Sequence, residues 1–366
     1  MAWTEIKYKK SKVDQAGEIL INENYSKKDI DGATLILDNW RSSHSFPLHT
    51  FKIRLKRVSK LIDPGALVVQ RLKRTPAIIK KLQRKYEGRN PTMKLSQMQD
   101  IGGCRSVVSN IKLVQKLCDE YYHIDKNTKG KHCDIKHHFK NKKDYIIKPK
   151  PDGYRSIHLI YKYNSDKKQK KYNGLLIEIQ IRSKLQHFWA TAIETVDHFT
   201  KQAIKSNEGE KEWMDFFRLI SSVFADFEKT PKVPDTPEDK YELYSQVKIL
   251  SDKLGVMDKI KSWAKLVNII GQLEQKHKSH FYLLDLDITT KALTITTFEK
   301  KDEEQANLAY SEAEKKANQE KLNKDIVLVE ADTTKELKKA YPNYFLDTNE
   351  FLSILADYLN KPPKTN

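Results

Sequence analysis

The sequence predicts an α+β protein, and two observations carry that expectation. Apolar residues recur at helical spacing in some stretches, such as 49–62, and alternate with period two in others, such as 175–181. Short strand patterns lie between the helical ones, and with 366 residues at 39% hydrophobic there is material for two or three cores.

In chain order, residues 1–48 read as a mixed segment broken at Gly17, Gly32 and Pro47. Residues 49–62 predict a basic amphipathic helix, stopped by Asp63-Pro64-Gly65. A second helical element over 76–86 carries Ile78, Ile79 and Leu82 among cations, and Gly103–Val108 leads into a helix over 110–122. Tyr145–Ile147 and Ser156–Tyr163 are strand candidates on either side of a Pro- and Gly-rich turn. A polar loop (164–173) precedes the strand Leu175–Ile181, then helices over 183–201 and 207–228. Pro231, Pro234 and Pro237 suggest a linker, with helical material over 240–278. Strands Phe281–Ile288 and Ala292–Phe298, a charged helix over 302–322, a strand Ile326–Val329 and a last helix ending near Leu359 complete the chain. The expected units are 1–230, a helical linker 231–278, and 279–366.

No apolar run reaches the length of a membrane span, and the first residues lack a secretory pattern, so a cytoplasmic protein without membrane attachment is expected. Three cysteines, none in a CxxC pair, point away from a disulfide framework or structural zinc. The net charge of +18 is unevenly distributed: residues 271–366 hold 14 Lys+Arg against 17 Asp+Glu, so the remainder is strongly basic. Residues 41–90 alone carry 14 basic and two acidic side chains. Such an excess favours a polyanionic partner, and Lys52, Arg54, Lys56 and Arg57 are the candidate RNA contacts.

Three segments carry chemistry. Arg71 to Lys81 supplies cations for a triphosphate. Asp100-Ile101-Gly102-Gly103-Cys104-Arg105 sets a carboxylate before a glycine step that lets backbone approach a ligand. Asp144 to His158 is a turn presenting Tyr154, followed by Glu178, Gln180 and Arg182 at i, i+2, i+4 on one face of a strand. Asp100 with Glu178 would form a two-carboxylate Mg²⁺ site completed by substrate phosphates.

In these residues the chain resembles the synthetase domain of the RelA/SpoT family over roughly 45–205, most specifically at Tyr145–His158 and Glu178–Trp189. The resemblance implies a nucleotidyltransferase-type mixed sheet flanked by helices. It also implies transfer of pyrophosphate from ATP to a ribose 3′-hydroxyl, with release of AMP. By position, Arg71, Lys73 and Lys81 correspond to ATP-phosphate residues, and Asp100 and Glu178 to the magnesium carboxylates. Tyr154 corresponds to the residue that stacks on the acceptor base, with Lys150 and His158 lining that pocket. Arg105, Gln180 and Arg182 match positions near the nucleotides, Gln180 beside the catalytic carboxylates and the two arginines on the ATP side. Ala77 replaces a frequent Ser, Asp152 a frequent Asn and Arg155 a frequent Gln, the last two within the acceptor loop.

The layout with a further C-terminal unit resembles the CapRel group of fused toxin–antitoxin proteins. That resemblance implies a small C-terminal α/β zinc-finger-like domain without metal, tethered as an inhibitor through a Tyr-x-x-Tyr motif matched by Tyr341 and Tyr344. It further implies the tRNA 3′-CCA end as acceptor and a phage protein, such as a capsid protein, as the trigger. A small alarmone synthetase using GDP or GTP is the alternative reading of the same site.

Overall fold

In the computed structural model, residues 3–22, 24–84, 91–121, 138–166, 168–200, 210–264, 268–270, 279–287, 289–290, 292–320, 322–331, 337 and 348–363 are described. The architecture is α+β: one mixed nine-stranded sheet with helices on both faces, in strand order β3-β4-β5-β2-β1-β9-β7-β8-β6. The strands are β1 (Leu67–Leu72), β2 (Gly102–Val108), β3 (His138–Asp144), β4 (Ile157–Lys162), β5 (Leu176–Ser183), β6 (Asn268–Ile270), β7 (Ser279–Asp287), β8 (Ala292–Glu299) and β9 (Lys324–Glu330). β2 and β5 run parallel, while β1 is antiparallel to both β2 and β9.

The N-terminal 48 residues are more regular than expected. They form α1 (Lys10–Leu20), α2 (Lys27–Ser42) and the start of α3 (Ser45–Ile62). Ser26 and Asp29 close a capping box on α2. Pro47 falls in the first turn of α3, where its missing N–H costs nothing, so it does not break the helix. Gly17 lies inside α1, where a Cβ would come within 2.9 Å of Leu95 Cβ. α3 and α5 (Ile111–Tyr121) bury their apolar stripes on one face of the sheet, with Leu48, Leu55, Val58, Ile177, Ile179 and Ile181 in one core.

Two strand assignments differ from expectation. Tyr145–Ile147 is a turn, because the Asp144 carboxylate accepts the backbone N–H groups of Ile146 (3.1 Å) and Ile147 (3.2 Å); the strand is the lysine-rich β3 before it. Within 240–278, α8 (Lys240–Leu254) and α9 (Val256–Ala264) are helical, but Asn268–Ile270 pairs with β8 as a strand.

The expected linker is a packed layer. α8 and α9 share a core with α6 (Lys184–Thr200), α7 (Lys211–Glu228) and the last helix, α11 (Asn349–Leu359), through Trp213, Phe217, Val247, Ile260 and Phe351. The C-terminal chain therefore joins the basic body twice: β9 extends its sheet, and α11 completes its helical layer. The remaining described part of 279–366 is β7, β8 and α10 (Glu303–Gln319), with Tyr310 and Ala306 packed on Phe281 and Leu328.

Candidate active site

Period-two alternation sorts the strand side chains into two faces. On the face opposite α3, one row runs Arg71–Gly103–Glu178 across β1, β2 and β5. The next row runs Arg105–Gln180–His158–Lys143 across β2, β5, β4 and β3. Arg71 and Glu178 stand two strand spacings apart, about 10 Å between backbones. Between them a Cβ added to Gly103 would meet nothing within 4 Å, so the sheet has an open floor there. Gly102 faces the other way, where a Cβ would lie 2.8 Å from Ile177 Cδ1.

Five side chains at one end of this face form a closed ring. Glu178 accepts from Gln180 Nε2 (2.6 Å), and Arg182 donates to Gln180 Oε1 (2.9 Å) and to the Tyr154 hydroxyl (3.3 Å). The Tyr154 hydroxyl meets His158 Nε2 at 2.8 Å, and His158 Nδ1 lies 2.9 Å from Glu178. Burial alone would push the Glu178 carboxyl up, but the His158 charge and its hydrogen bonds hold it below its ordinary value. Burial would lower His158, yet Tyr154 and Glu178 raise it to about 9. Burial would raise the Tyr154 hydroxyl, and the His158 and Arg182 charges bring it down instead.

A second cluster faces the ring. Asp100 takes Lys73 on one oxygen (3.0 Å) and Lys81 on the other (2.8 Å). The two ammonium groups outweigh desolvation and hold its carboxyl well below the usual range, and the Asp100 charge is felt at Glu178. Burial depresses the Lys73 ammonium against the pull of Asp100. One carboxylate between two ammoniums leaves a net positive charge beside the open floor at Gly103. Asp100 and Glu178 offer the hard oxygen donors that Mg²⁺ takes, with Lys73 and Lys81 free to turn from Asp100 to a phosphate, so the residues fit that ion.

The loop before Tyr154 turns at Gly153, whose φ of +91° favours glycine and whose Cβ would lie 3.0 Å from both Ser221 and Trp189. Asp152 accepts the Tyr154 N–H at 2.8 Å and so sets the turn. Lys150 Nζ stands 4.7 Å from the Tyr145 ring centre and 5.0 Å from that of Tyr154. Tyr145, which packs edge-on against Tyr154 and His158, opens the Tyr145–His158 segment that carries the resemblance, but the sequence alone assigns it no role. Arg155 points away: buried, it donates to Ser221 Oγ (3.0 Å), to Ile146 O (3.3 Å) and to the Pro231 carbonyl. The two departures in this loop therefore shape and anchor it.

Asp100, Glu178, Gln180, Arg71, Lys73, Lys81, Arg105, Arg182, Lys150, Tyr154 and His158 thus fall on one side of the sheet or at its rim. The α3 residues do not join them. Lys52, Arg54, Lys56 and Arg57 belong to the helix covering the opposite face. Lys52 is buried and paired with Glu330 at 3.1 Å, which corrects its reading as an RNA contact: a desolvated, neutralised ammonium offers nothing to a phosphate backbone. Arg54 lies over the Tyr121 ring at 5.8 Å. Tyr341 and Tyr344 lie outside the described residues.

Residues 70–202 match the family model described as the region found in RelA/SpoT proteins. The chain is 28% identical over 172 residues to the GTP pyrophosphokinase YjbM of Bacillus subtilis, covering 44% of this chain and 70% of that protein. It is 29% identical over 172 residues to the GTP pyrophosphokinase YwaC of the same organism, covering 44% and 76%. The crystal structure of the small alarmone synthetase 1 from Bacillus subtilis bound to its product pppGpp aligns at a TM-score of 0.41 and 22% identity, covering 51% of this chain and 89% of that one.

Residues 70–202 are thus similar to a region found in RelA/SpoT proteins, and the chain is a pyrophosphotransferase. No helix among the described residues is long and apolar enough to cross a membrane.

Proposed function

We propose that the chain moves the β,γ-pyrophosphate of ATP to the 3′-hydroxyl at the tRNA 3′-CCA end, which would block translation. The observation that carries the transfer chemistry is the facing pair of clusters: a cation-rich Asp100–Lys73–Lys81 group and the Glu178-centred ring, on either side of the open floor at Gly103. Arg71 and Arg105 border that floor and, with Lys73 and Lys81, would hold the triphosphate and absorb charge on departing AMP. Asp100 and Glu178 would hold Mg²⁺, which when bound neutralises the phosphate oxygens. Glu178, kept ionised by His158, is the acceptor for the 3′-hydroxyl proton. Tyr154, with Lys150 beside it, orients the acceptor base.

For a tRNA end, the supporting observation is the row of side chains that continues past His158 to Lys143 on the edge strand, with Lys148 also exposed nearby. A long polyanion can leave the pocket over that rim. The α3 cations do not support it. A free GDP or GTP acceptor is the second reading, favoured by the two relatives named GTP pyrophosphokinase.

The C-terminal unit would restrain transfer until a phage protein displaces it, as anti-phage defence. What supports this is its docking on β1, where Val329 pairs with Arg71 itself. The zinc-finger-like character of the unit and the Tyr341/Tyr344 contact belong to the same proposal.

The test gives ATP labelled at the γ-phosphate to the full chain and to Val329→Pro, which weakens the β1–β9 ladder. Label is expected on tRNA, more from the variant. Label confined to GDP or GTP would establish the second acceptor, and no transfer by either folded protein to any of the three would sink the reading.

A further inference from the structure

β1 leads into α4 (Thr75–Leu82) through Lys73, Arg74 and Thr75, and each of the three is held from outside. The Lys73 N–H donates to the Ile101 carbonyl at 2.7 Å, and its own carbonyl accepts from Arg41 Nε at 2.8 Å. Arg74 pairs with Asp325 of β9. The Thr75 N–H is shared between the Tyr310 hydroxyl at 3.2 Å and a Glu314 carboxylate oxygen at 3.3 Å, both from α10.

That last contact is a helix cap supplied by the C-terminal unit. α4 is eight residues long, Arg74 before it makes no side-chain cap, and Pro76 has no N–H to offer. A helix this short is marginal on propensity alone, so its start is set by what it is bonded to. A carboxylate there also faces the positive end of the helix. Tyr310 and Glu314 are i, i+4 on α10 and reach Thr75 together. Burial, with the Glu314 charge, pushes the Tyr310 hydroxyl up against the pull of Arg41. The hydroxyl therefore keeps its proton for Glu314 while it accepts from Thr75.

The same tyrosine reaches this segment by a second route. Arg41 is fully buried, and its guanidinium carbon stands 3.9 Å from the centre of the Tyr310 ring. Through Arg41 the ring bears on the Lys73 carbonyl. Lys73 and Lys81, the two ammoniums on Asp100, thus flank a start of α4 that α10 grips. Lys81 follows Thr75 by six residues, about 9 Å along the helix, so fraying at Thr75 shifts it. Tyr310 and Glu314 are themselves buried, so their effect on a nucleotide is indirect.

We propose that Tyr310 and Glu314 are positioning residues for pyrophosphate transfer: they cap α4 and seat Arg41, and so place Lys73 and Lys81 for the phosphates of ATP. This rests on the reading of those two lysines as ATP-phosphate residues. It gives the C-terminal unit a supporting part beside the restraint proposed above. The unit does not then leave the body as a whole when transfer starts; α10 stays seated while the restraint lifts.

The test follows transfer from γ-labelled ATP in the full chain, alone and carrying Val329→Pro, and separates KM for ATP from KM for the acceptor that takes label. Titration calorimetry with ATP and Mg²⁺ reads the same affinity without transfer. Tyr310→Phe/Glu314→Ala keeps the ring over Arg41 and removes both acceptors of the Thr75 N–H. It is expected to weaken ATP about tenfold, in KM and in the calorimeter, and to leave KM for the acceptor within about twofold. Glu314→Gln, which keeps an acceptor oxygen, should stay within about threefold of its parent. A fall in kcat alone, with ATP affinity unchanged, is what a smaller folded fraction produces, and it overturns the proposal. Should the double variant lose its unfolding transition, Tyr310→Phe alone must weaken ATP about threefold, and unchanged affinity there overturns the proposal too. Lys81→Ala separates the two readings. If it weakens ATP and Tyr310→Phe/Glu314→Ala does not, the positioning role alone fails; if it leaves ATP affinity unchanged, the reading of the phosphate site fails with it.

Discussion

Asp100 and Glu330 are each a carboxylate gripped by cations, on opposite faces of the same sheet. Asp100 holds Lys73 and Lys81 with all three side chains about one-fifth exposed. Glu330 is 2% exposed and gathers Lys52, His49, His280 and Gln70, drawn from α3, β7 and β1. Both carboxyls are held well below their ordinary range against the upward push of burial. The difference is exchange. At Asp100 the lysines can turn to an arriving phosphate, because solvent and the open floor at Gly103 adjoin them. At Glu330 the ammonium has nowhere else to go, so the cluster fastens the C-terminal unit to the body.

The largest effect should therefore be structural and on the Glu330 side. Glu330→Ala removes the carboxylate that faces the buried Lys52 and should cost about 3–5 kcal/mol of stability, read by denaturant unfolding. The linkage has a definite sign. Glu330 has a depressed carboxyl, so its stabilisation is full above the unfolded value near 4.5 and is lost as pH falls below it. Wild type should lose stability on acidification below that point more steeply than Glu330→Gln. Equal slopes would dissolve the contrast.

Asp100→Ala should show the converse. Stability should change by about 1 kcal/mol or less, as for a partly exposed pair, while transfer falls on the order of 10²–10³-fold, as when one electrostatic group of a transfer site is removed. A variant that unfolds instead would make Asp100 a fastening as well.

A smaller effect is expected at the rim. Lys143→Glu/Lys148→Glu should lower transfer to tRNA about tenfold at low salt, with the difference shrinking as salt rises, and leave GDP use within about twofold. The smallest effect concerns His158. Its raised value means its stabilisation is full below about 6.5, the ordinary histidine value, and is lost as pH rises through about 9. The stability difference between wild type and His158→Gln should narrow from pH 6 to pH 9.5; a constant difference would remove His158 from the charged ring.

Much of the candidate site's arrangement was legible because strand alternation is a local rule. Glu178, Gln180 and Arg182 at every second position had to share a face, and they do, in direct contact. The same rule, applied one residue further along the acceptor loop, would have separated Tyr154 from Arg155, which turns inward to Ser221 and the Pro231 carbonyl. What could not be read is register between distant segments. Nothing near Glu330 marks it as the partner of a lysine 278 residues away. The same holds for the pairing of β9 with β1 and for the return of Phe351 to the α6–α7 layer. α1 and α2 went unread because their lysines and acids dilute the apolar stripe that reveals a helix, and the stripe makes sense only against Leu95 and the body.

The β1–β9 ladder spans only two residue pairs, Gln70 with Glu330 and Arg71 with Val329. Cutting the chain before β7 to obtain a permanently active enzyme would do more than free it. It would leave β1, which carries Val68 and Val69, as a bare edge, and would strip Phe351 and Leu355 from an aromatic cluster around Phe217 and Phe224. Such a fragment would seek strand partners of its own kind and precipitate, so an inactive truncation would report lost solubility, not lost chemistry.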